Sequence, residues 1–146
     1  MAFGLKVIFH QRHAVELPPE LSSLCTPVSL EELYQSSDYL SLHVPLTEET
    51  RYLIDLEAFQ KMAKKPLVLN LARGGVIKTK DLVLALSQKL IRGAVLDVTD
   101  PEPISGKHPL LAFENCLVVP HIGTATEECR FLMAKKAAEN ILDFFK

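Results

Sequence analysis

Short apolar, β-prone runs alternate with helical patterns along the whole chain, and this alternation limits the possible folds more than any other feature. Five such runs lie at residues 5–9, 39–44, 67–71, 93–98 and 116–119. They are apolar on both faces, which is typical of buried strands in a parallel sheet. Parallel neighbours need crossover connections, so the sequence predicts βαβ units and an α/β fold, doubly wound around a mainly parallel sheet.

Helix-start signals occupy the segments between these runs. Residues 29–32 and 124–127 each have the spacing of a capping box, in which a hydroxyl and a glutamate satisfy backbone N–H groups at the helix start. Asp55 and Thr79 are placed to cap two further helices. Apolar residues recur at helical spacing after the second capping box, which predicts a long helix running to the C-terminus with one face for packing.

Composition excludes several classes of protein. The chain has 146 residues, of which 16 are Lys or Arg and 18 are Asp or Glu, so its net charge is −2. A nucleic-acid or membrane-surface protein would need a basic face, which this balance argues against. Apolar runs are too short to cross a bilayer, and the first six residues lack the apolar core of a signal peptide, so we expect a cytoplasmic protein. The three cysteines are too scattered for a disulfide framework or a metal site, and we expect them to be small buried hydrophobes.

Four chemistry-bearing residues fall at or just after predicted strand ends. They are Pro45, Arg73, Asp97 and His121. In doubly wound sheets, ligands bind beyond the carboxyl ends of the strands, so these positions are expected to line one site. Taken alone, three of these residues have ordinary alternatives: Arg73 as a surface ion pair, His121 as a packed loop residue and Asp97 as a turn former.

Four segments in fixed order carry a resemblance to a known family. They read HVPLT at 43–47, NLARGG at 70–75, GAVLDV at 93–98 continuing to PEP at 101–103, and PHIGTAT at 120–126. With this order and spacing, the chain resembles the D-isomer-specific 2-hydroxyacid dehydrogenases, and most closely their glyoxylate reductase/hydroxypyruvate reductase branch. The resemblance covers nearly the whole chain and implies a Rossmann-like fold.

The resemblance implies roles that suit the residue types. Arg73 would hold the carboxylate and ketone of a small 2-oxoacid through its planar, permanently charged fork. His121 matches the family's proton donor, and Glu102 matches the carboxylate that keeps the imidazolium charged and oriented. Asp97 matches the acid near the nicotinamide carboxamide and the substrate. Without the motif, Glu102 would be read as a solvated loop residue between two prolines.

The resemblance also implies a nicotinamide dinucleotide cofactor, with Pro45, Leu71 and Gly123 among the residues that contact it, together with Asp97. In NAD-binding members of this fold, an acid after the second strand accepts hydrogen bonds from the ribose 2′-hydroxyl. Gln11 stands at that position here, and Arg12 beside it could bind a 2′-phosphate. This favours NADP and leaves NAD open; Arg12 could also belong to a solvated basic turn.

The chain departs from the family pattern in one large respect. None of its six glycines forms the G-x-G-x-x-G turn that binds the pyrophosphate. The turn, its helix, the first strand and the substrate domain are not in the sequence, so we expect residues 1–146 to be a partial dinucleotide-binding domain. Two functions remain open. One is a reductase of glyoxylate, hydroxypyruvate or a similar 2-oxoacid, commonly homodimeric in the family, seen here in part. The other is a non-catalytic truncated product that acts as a binding or dimerisation module.

Overall fold

The computed structural model describes residues 4–13 and 16–146, and it consists of parallel strands connected by helices. The strands are β1 (Val7–Phe9), β2 (Cys25–Pro27), β3 (Tyr39–Leu42), β4 (Leu67–Asn70), β5 (Gly93–Leu96) and β6 (Cys116–Val118). The α-helices are α1 (Pro19–Ser22), α2 (Leu30–Ser36), α3 (Leu56–Lys61), α4 (Thr79–Ser87) and α5 (Glu127–Phe144). Two 3-10 helices cover Gly74–Val76 and Pro109–Ala112. The predicted α/β class with parallel strands is confirmed.

The strands form two parallel sheets. Strands β3, β4, β5 and β6 pair in chain order, and β1 pairs with β2 in a separate sheet. All strand pairs in residues 4–13 and 16–146 are parallel, as predicted, and the division into two sheets arises because β1 and β3 do not hydrogen bond to each other there.

The hydrophobic core lies against the four-stranded sheet and is closed by α2, α3 and α4. Side chains of β4 and β5 that face it are almost fully buried, with Val68 at 0% and Ala94 at 1% exposure. Phe59 from α3 and Leu82 from α4 pack from the helical side at 1% exposure each. Burying such side chains is worth about 1.5–3 kcal/mol each relative to leaving them in water, so this core fixes the strand ends that the loops extend from.

Helix starts follow the sequence signals at two of four positions. The Ser29 hydroxyl accepts a hydrogen bond from the Glu32 N–H at 3.1 Å, and an Asp55 oxygen accepts one from the Ala58 N–H at 3.0 Å. Both caps are therefore confirmed, since in each case a side-chain oxygen satisfies an N–H of the first turn.

The other two predicted caps are wrong. Thr79 is the first residue of α4, and its hydroxyl donates to the Asp100 carbonyl at 2.7 Å. The last helix is capped by Thr126, whose hydroxyl accepts from the Cys129 N–H at 3.1 Å, and not by Thr124. Both residues are threonines and can therefore cap a helix, and only the path of the preceding loop determines which of them does so.

The cysteines and the region of β2 also differ from expectation. Cys25, Cys116 and Cys129 are free thiols of intermediate burial, so the prediction that they are small buried hydrophobes is met only in part. The sequence patterns did not reveal β2 or α1, because both are very short and contain prolines that weaken the strand and helix signals.

Helix α5 extends away from the core. None of its side chains from Glu127 to Phe144 is buried, and Phe131 is 67% exposed, Ile141 60% and Leu142 64%. The predicted apolar face is thus present in sequence but uncovered in this structure. No helix within the described ranges has the length and hydropathy needed to cross a bilayer. Residues 1–3, on which the expectation about a signal peptide partly rests, lie outside the described residues.

Candidate active site

Three of the predicted site residues follow neighbouring strands of the larger sheet. Arg73 comes after β4, Glu102 lies in the loop after β5, and His121 comes after β6. In the sheet, Asn70 at the end of β4 is paired with Leu96 of β5, which is paired with Val118 of β6. The parallel register therefore delivers all three residues to the same carboxyl edge.

A buried asparagine shapes the turn that presents Arg73. Asn70 is 1% exposed, and its amide nitrogen donates to the Arg73 carbonyl at 3.0 Å while its amide oxygen accepts from the Ala72 N–H at 3.1 Å. Both ends of the side-chain amide thus bind the backbone of residues 72–73. The arginine side chain itself is exposed, and its Nη1 donates to the Ala72 carbonyl at 2.7 Å.

The residue after Arg73 brings this turn against the loop that carries Glu102. A β-carbon at Gly74 would overlap the backbone carbonyl of Thr99, so only glycine permits this approach. The guanidinium charge of Arg73 is close enough to Glu102 to contribute to the lowering of the pKa of that carboxyl.

Glu102 and His121 form a hydrogen-bonded pair. The Nδ1 of His121 donates to Oε1 of Glu102 at 2.7 Å, and the two side chains are 47% and 42% exposed. This hydrogen bond is the main reason why the pKa of Glu102 lies below its usual range, against a smaller opposing effect of burial. The N–H of Thr99 adds a longer hydrogen bond to Oε2 at 3.4 Å. Since Nδ1 is engaged by the carboxylate, Nε2 is the ring nitrogen that remains for proton transfer.

Asp97 has a role in this site that the sequence did not reveal. It directly follows β5, is 7% exposed, and accepts backbone hydrogen bonds from Ile122 at 2.7 Å and Gly123 at 3.0 Å. These are the two residues that follow His121. The predicted contact of Asp97 with a cofactor stays a prediction. No sequence motif indicates that Asp97 binds these backbone groups, because any residue type except proline can supply an N–H.

The remaining predicted cofactor residues fit an extended ligand along the same edge. Pro45 after β3, Leu71 after β4 and Gly123 after β6 are all exposed, and Leu71 is 49% exposed although apolar. Arg12 follows β1, and its guanidinium forms an ion pair with Glu49 from the loop after β3. The edge thus presents exposed residues after three of its strands, and their predicted contacts with a cofactor stay predictions.

Comparisons with known proteins agree on one family. The sequence profile described as "D-isomer specific 2-hydroxyacid dehydrogenase, NAD binding domain" matches residues 1–123. A glyoxylate reductase from Aeropyrum pernix is 43% identical over 144 residues, which are 98% of this chain and 42% of the relative. Glyoxylate/hydroxypyruvate reductase B from Escherichia coli is 43% identical over 142 residues, which are 97% of this chain and 43% of the relative.

Solved structures give the same result. The NADPH-dependent glyoxylate/hydroxypyruvate reductase from Sinorhizobium meliloti, solved in complex with NADP and malonate, superimposes with a TM-score of 0.87 at 28% identity. That superposition covers 99% of this chain and 44% of the other. The chain therefore spans less than half the length of these relatives.

The Glu102–His121 pair generates a direct prediction. Replacing His121 by alanine should raise the pKa of Glu102 towards its usual value, because the largest cause of its lowering is removed. The side-chain carboxyl carbon of Glu102, followed by NMR across a pH titration of the chain, measures this. His43→Ala, which removes an exposed histidine after another strand, is the matched control and should leave the titration in place. An unchanged Glu102 titration in the His121 variant would contradict the pairing.

Proposed function

The chain belongs to the D-isomer specific 2-hydroxyacid dehydrogenase family, in its NAD-binding domain, and from this we propose that it forms the cofactor-side part of a 2-oxoacid reductase. The reaction would transfer a hydride between NAD(P)H and a small 2-oxoacid such as glyoxylate or hydroxypyruvate. The observation that carries the proposal is the hydrogen bond of 2.7 Å between His121 and Glu102 at the sheet edge that also presents Arg73.

Arg73 would bind and orient the substrate. A 2-oxoacid has a carboxylate next to its ketone, and the guanidinium fork offers several parallel N–H donors to adjacent oxygens. The exposed side chain extends from a turn whose backbone is held by Asn70, so the attachment point of the fork is defined before substrate binds. Its charge would also stabilise negative charge that develops on the ketone oxygen during reduction.

His121 would supply the proton. As the hydride adds to the carbonyl carbon, the carbonyl π electrons move to oxygen, and the proton on Nε2 of His121 passes to that oxygen to give the hydroxyl. Glu102 accepts the hydrogen bond from Nδ1 and so orients the ring with Nε2 left for proton transfer. In the reverse direction the neutral ring would accept the hydroxyl proton, as a general base.

Arg12, Pro45, Leu71 and Gly123 are the residues that we propose to hold the cofactor. The hydride comes from its nicotinamide ring when the cofactor is bound. Pro45, Leu71 and Gly123 would provide exposed surface along the carboxyl edge, and Arg12 would pair with a 2′-phosphate, which favours NADP while leaving NAD possible.

The whole enzyme would contain more than this chain. Residues 1–146 would be a partial dinucleotide-binding domain, combined with a glycine-rich turn and a substrate domain to complete the site. We further propose a homodimer, in keeping with what the family resemblance implies, and a cytoplasmic location.

A chimaera can test the substrate role of Arg73. In it, residues 1–146 replace the matching segment of the Aeropyrum pernix relative. Arg73→Ala should lower kcat/KM for glyoxylate by about 30- to 5,000-fold, corresponding to about 2–5 kcal/mol, because the substrate carboxylate loses its partner. Cofactor affinity should be nearly unchanged. Arg92→Ala removes an arginine that lies by Asp38 and Tyr39 at the opposite end of the strands, and is the control. Equal activity of the Arg73 and Arg92 variants would reject the assignment.

Cofactor selection generates a second prediction in the same chimaera. Arg12→Ala should weaken NADPH binding about tenfold and leave NADH binding nearly unchanged, because only NADPH carries the 2′-phosphate. Glu49→Gln should strengthen NADPH binding by up to about fivefold, since an exposed ion pair worth up to about 1 kcal/mol no longer competes for the guanidinium. Fluorescence titration gives both affinities, with Arg130→Ala as control. Equal losses of affinity for NADPH and NADH would show that Arg12 does not bind the 2′-phosphate.

The chain on its own should be inactive. Catalysis needs the hydride donor and the ketone held in near-attack geometry, and a large part of the rate enhancement comes from that positioning. We expect no measurable oxidation of NADPH by the purified chain with glyoxylate or hydroxypyruvate. Robust turnover would contradict this. If the chimaera is folded but also inactive, the alternative of a non-catalytic binding or dimerisation module is favoured instead.

A further inference from the structure

The loop that carries His121 has an unusual backbone conformation. His121 has a positive φ of 53°, in the left-handed region that most non-glycine residues avoid. Its own N–H donates to the Val119 carbonyl at 3.0 Å, which closes a tight turn after β6. A residue in this region keeps its conformation only where its surroundings fix it. Some part of the structure must therefore hold the loop on the far side of His121.

Asp97 supplies that restraint. Its Oδ1 accepts from the N–H of Ile122 at 2.7 Å, and its Oδ2 accepts from the N–H of Gly123 at 3.0 Å. One carboxylate thus binds two consecutive N–H groups immediately after the histidine. Hydrogen bonds to a charged acceptor are about twice as strong as neutral ones, so this contact restrains the loop far more than a single backbone bond would.

Asp97 is itself firmly placed. Its backbone N–H donates to the Asn70 carbonyl at 3.0 Å, which continues the pairing of β4 with β5 by one residue. The side chain is 7% exposed, so solvent competes little for its oxygens. The position of the loop is in this way tied to the rigid sheet through one side chain.

Gly123 leaves room for this contact. A β-carbon at Gly123 would lie 2.9 Å from Oδ2 of Asp97, closer than real β-carbons approach other atoms. Any larger residue would push the carboxylate away from one of its two N–H donors. The absence of a side chain at Gly123 therefore helps the carboxylate of Asp97 to bind both N–H groups.

We propose that Asp97 is a positioning residue, whose carboxylate holds the backbone of Ile122 and Gly123 and thereby keeps His121 in hydrogen-bonding contact with Glu102. This differs from the cofactor contact predicted for Asp97 from the sequence. The importance of Asp97 for proton transfer rests on the proposed function, whereas the hydrogen bonds by which it holds the loop do not depend on that function.

Amide hydrogen exchange and the titration of Glu102 test the proposal on the full chain. Asp97→Ala should raise exchange at the Ile122 and Gly123 amides at least about tenfold, because both lose a charged acceptor. It should also move the pKa of Glu102 towards its usual value, because His121 is no longer held beside it. A purely structural role at the end of β5 would not produce that second effect. Carboxyl-carbon NMR across a pH titration provides the readout.

Asp55→Ala is the matched control, since Asp55 also binds a backbone N–H through its carboxylate, at the start of α3. This control should raise hydrogen exchange at the Ala58 amide and leave the pKa of Glu102 unchanged. Should Asp97→Ala fail to fold, Asp97→Asn is the second variant, because it keeps one acceptor oxygen. It should raise exchange at one of the two amides and move the pKa of Glu102 part of the way towards its usual value. A folded Asp97 variant with the wild-type Glu102 titration would overturn the proposal. An inactive wild-type chimaera combined with a shifted titration would instead reject the proposed function and leave the positioning role standing.

Discussion

One row of backbone pairing, in which Leu42, Asn70, Leu96 and Val118 lie side by side at the ends of parallel strands, determines where a site can form. Each chain segment that follows this row leaves the sheet at the same edge. The catalytic candidates are far apart in sequence and share no local motif. They meet because the register is fixed by a core that tolerates little displacement of the strands.

Much of this arrangement could be predicted from the sequence because it depends on local patterns. Apolar runs gave the approximate strands, and the residues after them gave Arg73 and His121 as site candidates, whereas Glu102 was predicted only through the family resemblance. The helix caps at Ser29 and Asp55 were found for the same reason, since a cap and its first turn are contiguous in sequence. Strand β2 was missed because three residues that include a proline carry almost no periodic signal.

What the sequence could not predict involves contacts between distant backbone segments. The close approach of Gly74 to Thr99 and the binding of the Ile122 and Gly123 N–H groups by Asp97 both depend on backbone atoms, which every residue has. The same holds for the choice of Thr126 over Thr124 as a helix cap. Residue types indicated which side chains have useful chemistry, whereas the tertiary fold determined which of them are functional groups and which are supports.

The exposure of α5 has a consequence for the dynamics of the edge. Helix α5 has 18 residues and no buried side chain, so its backbone hydrogen bonds, its Thr126 cap and exposed ion pairs such as Lys135 with Glu139 oppose fraying without the packing that stabilises most protein helices. Fraying that begins at its C-terminal end is opposed at the other end by the Thr126 cap and then by the carboxylate of Asp97. The Thr126 cap and the two N–H groups bound by Asp97 thus lie between a helix with no buried side chain and the loop that carries His121. A surface that covered α5 would stabilise the helix and, through this short connection, would also oppose opening of the histidine loop without contacting it.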